Sequence, residues 1–284
     1  MQDKYKMTQE NNILFAKRNL VDCIYKEAKL EGIGVTFPDT HEIIDGRSVA
    51  GLSVDDIVKV NNLKHAWQFI LDTIDYPMDL RYLRQINSEI GSSIVYDAGN
   101  LRTASVEIGG TTWRPDIPDY DNCKDTVDGI CRSNQCYTEK SIDLMLFTMR
   151  SQMFMDGNKR TAQIAANQMM IQNGCGLIAI PEERQAHFIS LLISYYETNN
   201  SMEIKNFLYD ECIIGIDSRK IDREKIKEEA AEQPTINKAD FYKGPNRPQS
   251  IIEKIDELKD LVDFRKSQYQ KLLSKTTNLG FDER

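Results

Sequence analysis

Asp156, Gly157, Asn158, Lys159 and Arg160 stand together at the front of an apolar-patterned stretch, "FMDGNKRTAQIAANQMM" (residues 154–170). A helix that begins here exposes unpaired backbone N–H groups and the positive end of its dipole, which suits an anion. Gly157 lets the backbone approach a ligand and take conformations that other residues resist. Asn158 adds an amide donor. Lys159 and Arg160 add charge, and an arginine fork can grip phosphate oxygens in two places. Asp156, just before the turn, is placed to hold a divalent metal that bridges phosphates. The set suits a Mg-bound di- or triphosphate, with Phe154 pinning the loop to the core. Taken alone, the five residues also fit an ordinary solvated turn before an amphipathic helix.

The elements around this turn read mostly as helix. Ser53, with Asp56 as its capping-box partner, opens one whose apolar stripe is Ile57, Val60, Leu63, Trp67, Ile70, Leu71 and Ile74. Leu80, Leu83 and Ile86 mark a second. Thr138 or Ser141 caps a third, with Ile142, Met145, Leu146, Met149 and Met153 facing inward. The helix after the turn buries Ala162, Ala165, Ala166 and Met169 and stops at Asn173-Gly174. Two more are expected over about 182–197 and 201–213, with Ser201 capping the second. The exception is "GNLRTASVEIGGTTWRPDIP" (99–118), where Val106 and Ile108 alternate with polar residues, Gly109-Gly110 supplies a turn and Thr111 to Trp113 returns. This predicts one β-hairpin, which must lean on the helices or offer its edge to something else. The expected fold class is mainly α with a single hairpin.

The 284 residues are 40% hydrophobic and 28% charged, the composition of a folded, soluble chain. A net charge of −8 argues against broad contact with a nucleic-acid backbone. No apolar run is long enough to span a membrane, and "MQDKYKMTQENN" is not a signal peptide, so a cytoplasmic location is expected. Six scattered cysteines and three histidines offer no zinc spacing. From about Asp217 the sequence turns charged and reads as a linker. Pro248 then opens a last helix with Ile251, Ile255, Leu258 and Val262 at helical spacing, a face for its own domain, for a second copy or for a partner protein.

The turn resembles the signature of the Fic (Fido) family, His-x-Phe-x-(Asp/Glu)-Gly-Asn-(Gly/Lys)-Arg. Phe154, Asp156, Gly157, Asn158, Lys159 and Arg160 match it, and "NKRTA" is close to the Doc-like branch. The resemblance extends to 99–118 as the family's flap, to "LRYLRQINSEIG" before it, and to "GCGLIAIP" and "LLISYYETNN" after the motif. It divides the chain into an N-terminal helical segment (1–39), a Fic domain (40–214), a linker (215–247) and a terminal helix (248–284). It implies a helical domain that holds ATP and Mg and transfers AMP to a target hydroxyl, or moves phosphate in Doc-like members. The motif His is then the general base, the Asp at 156 holds Mg, and Asn158, Arg160 and the turn's backbone hold phosphates. The flap, with Val106, Ile108, Gly109, Gly110 and Thr111, docks a target protein by strand addition.

Three positions depart from the pattern. Gln152 stands where the catalytic His belongs, and a primary amide takes no proton near pH 7, so a contribution of ~100- to 10,000-fold is missing. His187 is the only histidine placed to substitute. Gln163 replaces a second Arg found in many AMP-transferring members. Many also carry an inhibitory helix with (Ser/Thr)-x-x-x-Glu-(Gly/Asn); the resemblance puts Asp45-Gly46 at that spot, with His41 at the Ser/Thr position. Asp45 is one methylene short and Gln163 cannot form the ion pair, so Asp45 reads as a helix-end residue ahead of an inhibitory one. Three functions follow: an ATP-binding Fic protein with impaired or altered transfer, a competent AMP- or phosphate-transferase using another base, or a protein-binding module with a vestigial nucleotide site.

Overall fold

The structure is a computed structural model that describes residues 1–216; the expected linker beyond that point and the expected helix at 248–284 lie outside the described residues. Among the described residues ten α-helices run in the order α1 (Gln9–Arg18), α2 (Leu20–Leu30), α3 (Phe37–Ile44), α4 (Val54–Asp72), α5 (Leu80–Gly91), α6 (Tyr120–Arg132), α7 (Tyr137–Ser151), α8 (Asn158–Gln172), α9 (Gln185–Thr198) and α10 (Met202–Glu211). A short antiparallel pair, β1 (Leu177–Ile178) and β2 (Ile213–Ile214), joins Leu177 to Ile214 and Ile178 to Ile213. No described helix is long and apolar enough to cross a membrane.

Half of the described helices start where a short polar side chain takes an orphan amide. Thr8, Thr36, Ser53, Asp79 and Asp119 each accept a hydrogen bond from the backbone three residues on. At Ser53 only half of the expected capping box forms, because Asp56 turns to Lys59 at 3.6 Å. Thr138 and Ser141 do not cap α7. That helix begins after Cys136 with no side-chain cap, and Ser141 bonds back to the Tyr137 carbonyl from inside it. Ser201 precedes α10, but its side chain caps nothing; Asn200 accepts from the Met202 amide instead.

α8 is the axis of the fold. Every residue from Thr161 to Ile171 is buried. One face, with Ile164, Ala165 and Met169, packs into a core shared with α2, α4 and α5. The other, with Ala162, Ala166 and Met170, meets α7, α9 and α10. Its alanines let neighbouring helices come close, and each fully buried Leu- or Ile-sized partner contributes about 1.5–3 kcal/mol. Buried amides fix its far end: Asn167 bonds both N–H and C=O of Ile178, and Gln168 donates to the Ile74 and Tyr76 carbonyls. Gly174 ends the helix at φ +70°, where a Cβ would lie 2.0 Å from the Met7 oxygen. Ala16, Cys23, Ile24 and Ala28 place α1 and α2 in the same core.

Segment 99–118 differs from the expectation. Gly109-Gly110 does form a turn, but no strand is found on either side of it. Two alternating apolar residues are too few to hold a ladder against the side-chain contacts available on α9. Trp113 stacks on Tyr196 with ring centroids 5.5 Å apart, and Thr111 donates to Glu197 at 2.7 Å.

Candidate functional site

α8 opens without a side-chain cap, from Gly157 at φ +78°. A Cβ there would sit 3.0 Å from Ile90 Cγ2 and 3.3 Å from the Asn87 amide, so glycine satisfies both the conformation and the space. Residues 152–158 form a tight loop around Asn158. Its Oδ1 accepts from the Phe154 amide at 2.9 Å, and its Nδ2 donates to the Phe154 carbonyl at 2.7 Å and to Gln152 Oε1 at 3.2 Å. Both Asn158 donors are therefore engaged, and this side chain shapes the seat where the sequence pointed to a ligand donor. Phe154 is buried and pins the loop, as expected.

Asn87 of α5 braces the loop from behind, donating to the Asp156 carbonyl and to Thr161 Oγ1, each at 3.0 Å, and accepting from the Gly99 amide at 2.8 Å. Arg102, buried, ties both ends of the flap to the same loop: its guanidinium donates to the carbonyls of Gln152, Ala104, Pro115 and Asp116. Burial lowers its pKa from the ordinary arginine value.

In front of the loop lies a cavity of about 370 Å³, within the size range of small-ligand sites. Gln152 and residues 155–159 form its floor, Ile189, Leu192, Ile193 and Tyr196 of α9 one wall, and flap residues Val106 to Gly109 its rim. Gly110 packs against Ile193, and Thr111 is held by Glu197, so the flap tip rests on α9. Asp156 bonds the Gly157 amide through Oδ1 at 2.6 Å and Arg160 Nη2 through Oδ2 at 3.0 Å. Arg160 is 3% exposed, yet its Nε has no hydrogen-bond partner among the described residues.

Glu31, at the end of α2, also lines the cavity. It faces Lys159 Nζ and Arg160 Nε, each at 3.6 Å, and its Oε1 is likewise buried and unpartnered. These are ion pairs without hydrogen bonds, a loose hold that a better-placed anion can replace. One turn earlier, Glu27 is buried with Trp67 Nε1 as its hydrogen-bond donor at 3.1 Å; burial, opposed by that bond, pushes its carboxyl to about 8.

Gln152 ends α7 in the left-handed region at φ 45°. Its Nε2 donates to the Met149 carbonyl at 2.6 Å, and its Oε1 accepts from Asn158. Tyr196 stands beside it with a hydroxyl pKa pushed well up by burial, against a hydrogen bond from Gln152. His187 packs edge-on to Phe207, and neither it nor His41 or His65 lines the cavity.

Asp45 is not at this site. It caps the exposed end of α3, beside His41 at 3.5 Å and Arg47 at 3.6 Å. The carboxylate that reaches the motif is Glu31, 14 residues earlier. Glu31-Gly32 carries the last two positions of the inhibitory pattern with Glu27 at the first, a signal present in the sequence. Gln163 turns inward, to the Lys159 carbonyl, and does not meet Glu31. Asn87 and Arg102 left no comparable trace, since each acts through distant backbone.

Among the described residues no group of three or more His, Cys, Asp or Glu side chains could hold a metal by itself. The half-exposed Asp156 fits Mg as one carboxylate ligand completed by phosphate oxygens and water.

The sequence matches no family model and no curated protein. The structure is similar to solved ones. Against Fic-1 from C. elegans the TM-score is 0.59 at 19% identity, over 69% of this chain and 61% of that one. Against a Fic domain containing signaling protein from Bacteroides thetaiotaomicron it is 0.60 at 17%, over 72% and 85%. Against a Fic family protein from Desulfovibrio desulfuricans it is 0.57 at 16%, over 68% and 61%. The chain thus spans about three fifths of the C. elegans and Desulfovibrio chains. At such identities the likeness speaks for architecture: this mainly helical chain, with α8 at its centre, has the Fic-domain fold.

Proposed function

We propose that this chain binds ATP, with Mg, at the start of α8, on a protein AMP-transferase scaffold whose base position is taken by Gln152. The observation that carries the reading is Arg160. A buried guanidinium whose Nε has no hydrogen bond and only Glu31 at 3.6 Å, behind an uncapped helix start and beside a cavity, costs stability unless a better-placed anion completes it. The apolar wall of α9 is suited to a nucleobase. Gln152, with both ends of its amide engaged, has nothing to offer as a proton acceptor, so transfer is slow. The flap carries no backbone ladder from Val106 to Gly109 among the described residues, which leaves an edge for an extended segment of a target protein.

Calorimetry with ATP and Mg tests this. Saturable binding is expected, weakened about tenfold or more in Arg160→Ala by loss of charge-assisted hydrogen bonds. No heat from the folded wild-type chain overturns the reading.

Glu31 competes for the same cations, and the inhibitory role that the resemblance gave to Asp45 falls to it. Glu31→Gln keeps the shape and removes the rival charge. ATP affinity is expected to rise about five- to tenfold in that variant, whereas Asp45→Asn leaves it unchanged. Equal affinities for wild type and Glu31→Gln, in the same titration, count against the role.

A further inference from the structure

We propose that Asp156 is the seat's resident anion, filling the phosphate position in the free protein, and that nucleotide enters with a divalent cation because the cation gives this carboxylate somewhere else to bind. The inference rests on the nucleotide reading of the cavity. Asp156 takes the two kinds of donor a phosphate needs here. Its Oδ1 is on the Gly157 amide at 2.6 Å, and its Oδ2 is on Arg160 Nη2 at 3.0 Å. The same side chain is 50% exposed and lines the cavity, whereas the Arg160 side chain beneath it is 4% exposed. Asp156 can therefore swing outward without unpacking the core, while Arg160 cannot follow.

The exchange keeps Arg160 paired throughout: a carboxylate leaves as a phosphate arrives. Without a cation, the displaced carboxylate would face the incoming phosphate at short range, like charge against like, in a cleft with Glu31 and Glu107 also on its lining. A phosphate-bound Mg removes that repulsion, and one carboxylate plus phosphate oxygens is a common Mg environment. The metal dependence of binding then reports the unplugging of the seat as well as bridging by the ion. Glu107 provides an internal control, because it lines the same cavity but is paired with Arg114 away from the helix start.

The test is ATP titration of the full chain by calorimetry, with Mg or with EDTA, for wild type, Asp156→Asn, Asp156→Ala and Glu107→Gln. In EDTA, both Asp156 variants are expected to bind ATP at least about fivefold tighter than wild type, and Mg then adds less than about twofold. Glu107→Gln is expected to follow wild type. If wild type binds Mg-ATP but the Asp156 variants gain nothing in EDTA, the plug is refuted and the nucleotide reading stands. An equal gain in Glu107→Gln refutes it too, as a general charge effect. Binding by no protein in either condition overturns both. Should the variants fail to fold, the wild-type Gly157 amide resonance decides: it moves with Mg-ATP and stays with ATP in EDTA if Asp156 is the plug, and an equal shift in both overturns it.

Discussion

Gln152→His is expected to raise AMP transfer from labelled ATP onto protein by about 100- to 10,000-fold, the range a positioned general base supplies. The backbone is ready for it. Position 152 ends α7 at φ 45°, a region that histidine enters more readily than most residues. The Met149 carbonyl, now taking the Gln152 Nε2 proton at 2.6 Å, is placed to take an imidazole N–H, which leaves the other ring nitrogen unprotonated toward the cavity. A base of this type gives activity that rises with pH through about 6.5. The assay is best run beside Glu31→Gln, so that the seat is open as well as the base present. If the double variant binds ATP but labels nothing, the scaffold does not transfer AMP. If wild type already labels as well as the variant, Gln152 is not the missing piece.

The second large effect is on stability, at Glu27. Its carboxyl is buried against Trp67 with a pKa raised from the usual 4.5 to about 8, chiefly by burial and further by Glu31, and against the pull of the Trp67 hydrogen bond. The folded state therefore holds a proton that the unfolded chain releases near 4.5. The stability linked to that proton is fully present below about pH 4.5, falls as pH rises, and is lost by about pH 8. At 1.36 kcal/mol per pKa unit the span is worth up to about 4–5 kcal/mol, less whatever local relaxation recovers. Glu27→Gln keeps an acceptor for the Trp67 N–H and cannot ionise. Urea unfolding from pH 5 to pH 9 is expected to give near-equal stabilities at the acid end and a variant more stable by several kcal/mol at the alkaline end. Parallel curves would show that Glu27 is ionised in the native state.

How much of this was legible depended on the range of the contacts. The capping residue Ser53 and the apolar stripes of α4, α5, α7 and α8 act within a few residues, and their helices form. The turn at 154–158 was visible as chemistry for the same reason: a glycine at positive φ, an uncapped helix start and charged neighbours are all local. The expected hairpin does not form because Val106 and Ile108 give only a two-residue alternation, while what holds the segment comes from Tyr196 and Glu197, more than 80 residues on. The β1–β2 pair is two residues long on each side, too short for any pattern. Glu31 meets Arg160 because α2 packs into the same core as α4, and its trace along the chain, Glu31-Gly32, lacks the Ser or Thr of the pattern and is matched as well by Asp45-Gly46. Asn158 bonds the backbone of its own loop, a set of partners that its residue type alone does not name.

The central claim is that the first-turn amides of α8, with Arg160, seat a phosphate chain. A crystal structure of the protein soaked with ATP and Mg tests it most directly. The account predicts phosphate oxygens within hydrogen-bonding distance of the amides at the start of α8 and of the Arg160 guanidinium, with Asp156 turned to the metal and Glu31 withdrawn. Nucleotide bound elsewhere, with Arg160 still held between Asp156 and Glu31, would contradict it.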